Sequence, residues 1–280
     1  MSVKHEFKLF TGERALFASS DLEIYDSIFA DGESPLKESR NIYLRGCSFK
    51  WKYPLWYCKD VTVTDSTLLE TARSGIWSTE NITMEKCLIE APKTFRRSKG
   101  ITLTDCTMPK ALESLWGCED VRLENISVTG DYFGMNVKNL TADGLRIAGN
   151  YAFDGGENIV VKNATLLSKD AFWNSKNVTV IDSVIIGEYL GWNSENLTLI
   201  NCTVESDQGL CYIHGLTMKN CKILNTGLAF EYSDVDVEAV SPIDSVKNPT
   251  SGRIVAPAIG ELIMEESRID PNKTEIITEK

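Results

Sequence analysis

The feature that most constrains this chain is a pattern that returns about every nineteen residues. Asn-Leu-Thr-Leu-Ile-Asn-Cys-Thr-Val at 196–204 repeats Asn-Val-Thr-Val-Ile-Asp-Ser-Val-Ile at 177–185. With the first apolar residue of each copy as an anchor, the series runs Leu22, Ile42, Val61, Ile82, Ile101, Val121, Leu140, Ile159, Val178, Leu197, Leu216, Val235 and Ile254. The steps are 20, 19, 21, 19 and 20 residues, then 19 throughout. A fixed period of this length marks a solenoid, in which each repeat buries its apolar face only against its neighbours.

Within a repeat, apolar residues at the anchor and two positions on flank a residue that is often Thr, as at Thr62, Thr83 and Thr179. A period of two predicts a short strand with one face buried. Four residues after the anchor stand Gly46, Asp65, Asp105, Asn125, Asp182 or Asn201. These residue types tolerate positive φ and predict a tight bend. A second strand follows, with its apolar residue seven after the anchor, as at Phe49, Leu68 and Ile185. The segment four to eight residues ahead of the anchor supplies a third, with a core column of Leu36, Leu55, Ile76, Phe95, Leu115, Phe153, Phe172 and Leu210. Three short strands stacking on their counterparts make an all-β, single-stranded parallel β-helix, expected to have about 12–13 rungs of ~19 residues. Parallel crossovers are right-handed in about 98% of cases, which predicts that hand.

One repeat covers nearly all of the 280 residues, so a single domain, 1–280, is expected. Residues 1–20 form an N-terminal cap, 21–256 the rungs, and 257–280 a C-terminal cap and tail. No apolar run approaches the roughly 18 residues of a membrane span. The opening Met-Ser-Val-Lys-His-Glu-Phe-Lys has no signal-peptide core, and a cytoplasmic location is expected. A net charge of -11 opposes nucleic-acid partners and anionic membranes. Eight cysteines without a Cys-x-x-Cys pair read as reduced thiols, five of them in one column that Ser66 and Ser183 share in other rungs. With only His5 and His214 and no phosphate-binding glycine loop, no metal and no cofactor is expected.

Chemistry concentrates five residues ahead of the anchors, where Trp56, Trp77, Trp116, Trp173 and Trp192 share one outward column. Tyr53, Tyr132, Tyr151 and Tyr189 fall three residues earlier in their rungs. An aromatic ladder on a β surface suits stacking against sugar rings, and equally suits stacking on itself or on a second subunit. Trp56, Trp77, Trp116, Tyr132, Trp173 and Trp192 are therefore candidate binding residues. Near the middle of this face lie Lys93, Arg96, Arg97, Asp131 and Asp154. Arg96 is suited to neutralising a uronate or abstracting a proton, and Asp131 and Asp154 to acid and base roles or to binding a cation, whereas a solvated salt-bridge cluster is the bland reading. Gly134 and Gly191 interrupt the core column and mark either close ligand approach or relief of crowding.

Local runs add a resemblance. Gly-Glu-Ser-Pro-Leu-Lys-Glu-Ser at 32–39, Trp-Lys-Tyr-Pro-Leu-Trp at 51–56 and Ala-Phe-Trp-Asn at 171–174, set in these rungs, resemble an uncharacterised microbial family of unknown function. That family is grouped with the pectate-lyase-like right-handed β-helices. The resemblance implies the fold and leaves activity open, since that superfamily includes lyases, hydrolases, adhesins and inactive binders. The chain lacks the Asn-Thr-Asp, Asp-Asp, Gly-His-Gly and Arg-Ile-Lys runs by which polygalacturonases resemble one another. Of the clustered Asp ligands and nearby Arg base by which calcium-dependent pectate lyases resemble one another, it offers only a loose analogue. Two readings follow. One is a carbohydrate-related protein that binds an oligosaccharide along its aromatic face, or processes it by lyase-like or glycoside-hydrolase-like chemistry. The other is a scaffold whose aromatic face contacts a partner or a second copy.

Overall fold

The computed structural model describes residues 2–279; Met1 and Lys280, the outermost residues of the two expected end segments, lie outside the described residues. The protein is an all-β parallel solenoid of about 15 turns, each of ~19 residues. Two compact units, Met1–Arg146 and Ile147–Lys280, divide the chain. Each is built in the same way.

In the first unit, strands such as Ser20–Tyr25, Arg40–Arg45, Lys59–Thr64 and Glu80–Glu85 pair in parallel register, and the anchors fall opposite one another: Leu22, Ile42, Val61 and Ile82. The second unit repeats the arrangement with Glu157–Lys162, Lys176–Ile181 and Glu195–Ile200, where Ile159, Val178 and Leu197 align. All thirteen anchors are buried, each contributing roughly 1.5–3 kcal/mol if counted as a fully buried aliphatic side chain. A second sheet of two- and three-residue strands stacks Phe29 on Phe49, with ring centroids 4.7 Å apart and planes 4° from parallel. The bend between the two sheets holds the expected left-handed residue, for example Asp65 at φ 48°, Asp182 at 50° and Asn201 at 54°.

A second left-handed column interrupts the first sheet just ahead of the anchors. Asn81, Asn177 and Asn196 occupy it at φ 54–55°, and their amides donate down the stack: Asn177 Nδ2 to Asn158 Oδ1 at 3.0 Å and Asn196 Nδ2 to Asn177 Oδ1 at 2.9 Å. All eight cysteines are buried and unpaired. The Cys47 thiol points at the Ile24 carbonyl at 3.5 Å, much as the Ser66 hydroxyl donates to the Thr64 carbonyl at 2.7 Å. The shared column is a carbonyl-satisfying position, and its residues are small because it lies inside.

Four expectations need correction. The N-terminal segment taken as a cap carries rung strands: Val3–Glu6 pairs with Ser20–Tyr25, and Leu9–Phe10 pairs with Ile28–Phe29. At the other end Thr274–Thr278 pairs with Ser251–Ala256, so rungs also run through the expected C-terminal cap. Val235 aligns with Gly252, and Ile254 with Val237, so the final anchor lies two residues off its expected register. A two-residue shift keeps the same face inward, and Ile254 remains buried. The third side is the larger departure. It forms isolated bridges at Trp77, Arg96 and Trp116 rather than continuous strands, because left-handed residues recur along it.

Candidate functional site

The third side positions the aromatic column. In the second unit its left-handed residues alternate with others: Tyr151, Phe153 and Gly155; Asp170, Phe172 and Asn174; Tyr189, Gly191 and Asn193, all with φ between 53° and 72°. The backbone still bonds from rung to rung, Phe172 N to Ala152 O at 2.8 Å and Asn174 N to Trp192 O at 3.0 Å. Strict strand alternation is lost. Ala171 and the adjacent Phe172 both point inward, leaving Trp173 half-buried at the surface and Asp170 buried in the lining of a cleft. Gly191 sits at φ 72°, and a Cβ there would lie 2.7 Å from Leu197 Cδ2 and 3.0 Å from Ile213 Cδ1. Crowding and backbone conformation together account for that glycine.

The five column tryptophans are all half-buried. In the first unit they are consumed by one another and by a cation. Trp56 and Trp77 stack at 4.9 Å and 9°, and each indole N–H donates to a main-chain carbonyl, Ser74 O at 2.6 Å and Lys93 O at 3.0 Å. The Arg96 guanidinium fills the next place in the stack, 5.1 Å from the Trp77 ring centre and 4.8 Å from that of Trp116. Arg96 Nη2 also donates to Glu113 Oε2 at 2.7 Å, and Lys93 Nζ reaches Glu113 Oε1 at 3.2 Å. Tyr132 follows Trp116 with ring centres 6.4 Å apart. The expected cation is thus held by a carboxylate and two indoles, and Glu113 is the partner that sequence reasoning missed.

Asp131 is half-buried in the same unit, and its carbonyl accepts from Glu113 N at 2.9 Å. Asp154 belongs to the second unit, where its Oδ1 accepts from Asn174 Nδ2 at 3.3 Å; Asn174 in turn accepts from Asn193 at 2.7 Å. Burial raises the Asp154 carboxyl, and the Asn174 bond partly offsets the rise. Asp154 therefore stands at the foot of an amide ladder.

In the second unit the rings part. Tyr151, Lys169, Asp170, Trp173, Tyr189, Trp192 and Gln208 line a cleft of about 410 Å³, within the range of small-ligand sites. Trp173 and Trp192 also line a neighbouring depression of about 300 Å³ with Asn193 and Tyr212. Ring centres are 6.4 Å apart between Trp173 and Trp192 with planes at 66°, and 5.0 Å apart between Trp192 and Tyr212. These rings are splayed, unlike the closed Trp56 and Trp77 stack. Trp192 is fixed by its N–H bond to the Gln208 carbonyl at 2.6 Å. Lys169 Nζ lies 3.2 Å from Glu188 and 5.1 Å from the Tyr189 ring centre, so its charge is engaged at the rim.

Asp170 is the unexpected member. It is 1% exposed, and its Oδ1 has no hydrogen-bond partner among the described residues. Burial pushes its carboxyl up, Lys169 pulls it down, Glu188 and Asp154 push it up again, and a hydrogen bond from the Tyr151 hydroxyl lowers it; the net shift is upward. The signal lay in the sequence: between Tyr151 and Tyr189 the tyrosine column holds Asp170. Among the described residues no group of three or more His, Cys, Asp or Glu side chains is placed to hold a metal ion. Among the described residues no helix is long and apolar enough to cross a membrane.

Comparison with solved structures gives similarity at low sequence identity. PfbA, a surface adhesin of Streptococcus pneumoniae, shares 10% identity over 83% of this chain and 84% of that one, with a TM-score of 0.49. The A-module of the mannuronan C-5 epimerase AlgE4 of Azotobacter vinelandii shares 8% over 98% and 88%, with a TM-score of 0.34. A mutant tailspike protein of the E. coli bacteriophage HK620, in complex with a hexasaccharide, shares 10% over 93% and 59%, with a TM-score of 0.30. At the level of sequence no curated protein matches the chain. The model of DUF3737, a family of proteins of unknown function, matches residues 4–277, and the chain belongs to that family.

Proposed function

We propose that this protein is a carbohydrate-binding β-helix of the pectate-lyase-like kind, and that the second unit's aromatic cleft is where the oligosaccharide sits. The observation that carries the reading is the splayed arrangement of Trp173, Trp192 and Tyr212 beside a cleft with a carboxylate in its lining. Ring planes turned out of parallel, 66° between Trp173 and Trp192 and 56° between Trp192 and Tyr212, leave part of each ring face uncovered for the C–H face of a pyranose, whereas the 9° stack of Trp56 on Trp77 does not. The first unit's column is accordingly read as structural.

Binding is favoured over cleavage. The guanidinium that a lyase would use as base is held by Glu113 between two indoles, and the Asp154 carboxyl is committed to Asn174. A glycan array probed with the intact protein and with Trp192→Ala tests the reading. Binding to a defined set of oligosaccharides is expected, weakened about tenfold or more in the variant, as loss of an aromatic anchor weakens an interface. An array on which the intact protein binds nothing overturns it.

A further inference from the structure

Resting on the carbohydrate reading, we infer that Asp170 makes the second unit's cleft a subsite for an uncharged pyranose, its carboxylate receiving a ring hydroxyl, and that the same carboxylate turns uronates away.

The backbone does not explain this side chain. Asp170 lies at φ 56°, a conformation that Asn or Gly adopts as readily without placing a charge under aromatic rings. A carboxylate that is 1% exposed with one oxygen unpartnered is a costly choice in a scaffold, and such choices concentrate where a ligand completes the hydrogen bonding. A sugar hydroxyl is a donor of the right kind, and the Tyr151 hydroxyl bonded to the carboxyl can accept a second one. Tyr151, Trp173, Tyr189 and Trp192 supply the apolar walls.

The charges around the cleft select against acidic sugars. Asp170, Asp154 and Glu188 bring three carboxyl groups to this region, and the nearby ammonium of Lys169 is engaged by Glu188. A uronate would meet like charge with no guanidinium to receive it, and such a mismatch weakens its binding relative to a neutral sugar. The net charge of -11 acts in the same direction at longer range.

The test is a tryptophan-fluorescence titration of the intact protein and of Asp170→Asn, an exchange that suits the left-handed backbone. The probes are hexasaccharides of glucose, mannose and xylose, and hexamers of galacturonate and mannuronate, all in about 0.1 M salt to screen distant charges. The intact protein is expected to saturate with at least one neutral hexamer and to bind both uronates at least about tenfold more weakly, with Asp170→Asn losing about tenfold or more for the neutral ligand. Uronates binding as tightly as the neutral series, or an Asp170→Asn affinity within twofold of the parent, overturns the subsite while leaving the carbohydrate reading in place. Silence of the intact protein toward all five probes overturns both. Circular dichroism of Asp170→Asn separates lost binding from lost fold.

Discussion

Arg96 Nη2 donates to Glu113 Oε2 at 2.7 Å while the same guanidinium lies between the Trp77 and Trp116 rings. Burial raises the Glu113 carboxyl, but the bonds and charges of Arg96 and Lys93 more than offset it, so its pKa lies below the usual carboxylate range. A depressed folded value means that the pair's contribution is present above the ordinary glutamate pKa of about 4.3 and is lost as pH falls through the lower value. Glu113→Gln is expected to destabilise the protein by about 1–2 kcal/mol at neutral pH, with the gap closing in acid. Thermal unfolding of both proteins from pH 7 downward measures it.

For Asp170 the sign reverses. Its carboxyl is raised chiefly by burial, with Glu188 and Asp154 adding to the rise and Lys169 and Tyr151 opposing it. The stability that its protonated form favours is present below the ordinary aspartate value and is lost as pH rises through the folded one. Asp170→Asn is thus expected to be more stable than the parent at neutral pH, by about 2 °C in Tm, a shift of the size that roughly 1 kcal/mol produces in a domain this large. The advantage should vanish in acid. A variant that gains stability while losing sugar binding has the trade-off of a functional residue.

The amide ladder separates backbone conformation from side-chain bonding. Asn177 sits at φ 54° and links Asn158 to Asn196. Asn177→Ala is expected to cost about 1–2 kcal/mol from the left-handed backbone alone, and Asn177→Gly less, since glycine keeps that conformation freely. Chemical denaturation of the two variants ranks them. Equal losses in the two variants would place the energy in the exposed amide bonds, which both variants lack, instead.

Burial also governs the thiols. Cys58 and Cys118 are each pushed up to about 12, whereas hydrogen bonds from Cys87 and Cys202 lower Cys106 and Cys221; all eight sulfurs are inside. Ellman's reagent at about pH 8 is expected to leave the native protein unmodified over minutes and to titrate all eight thiols in denaturant, because a buried sulfur is out of the reagent's reach whichever way its ionisation is shifted. Rapid modification of native protein would contradict the packed column.

The rungs were legible because their inward columns are chemically uniform: Ile82, Ile101 and Val121 announce a buried strand, and Asp65, Asp182 and Asn201 announce the bend. The third side was harder to read. Phe95, Leu115, Phe153 and Phe172 adopt left-handed φ near 60°, a conformation that bulky residues disfavour and their identity does not advertise. Tertiary packing of those rings overrides their local preference. The terminal registers slipped because Val3 lies too near the chain start to establish a period, and the step from Val235 to Gly252 is shortened around Pro249. The tryptophan column was found as a column, but which of its members are closed and which splayed depends on ring angles that spacing does not carry. Asp170 was legible only as an exception among tyrosines, and its significance came from burial.

In the proposed function the rings of the second unit's cleft face a sugar. The most direct measurement is iodide quenching of tryptophan fluorescence with and without a saturating oligosaccharide, alongside light scattering. The sugar is expected to shield a fraction of the indole emission, Trp192→Ala to abolish the shielding, and the mass to stay unchanged. Indoles already shielded in the absence of sugar, in a protein whose mass corresponds to two copies and falls to one in Trp192→Ala, would contradict it.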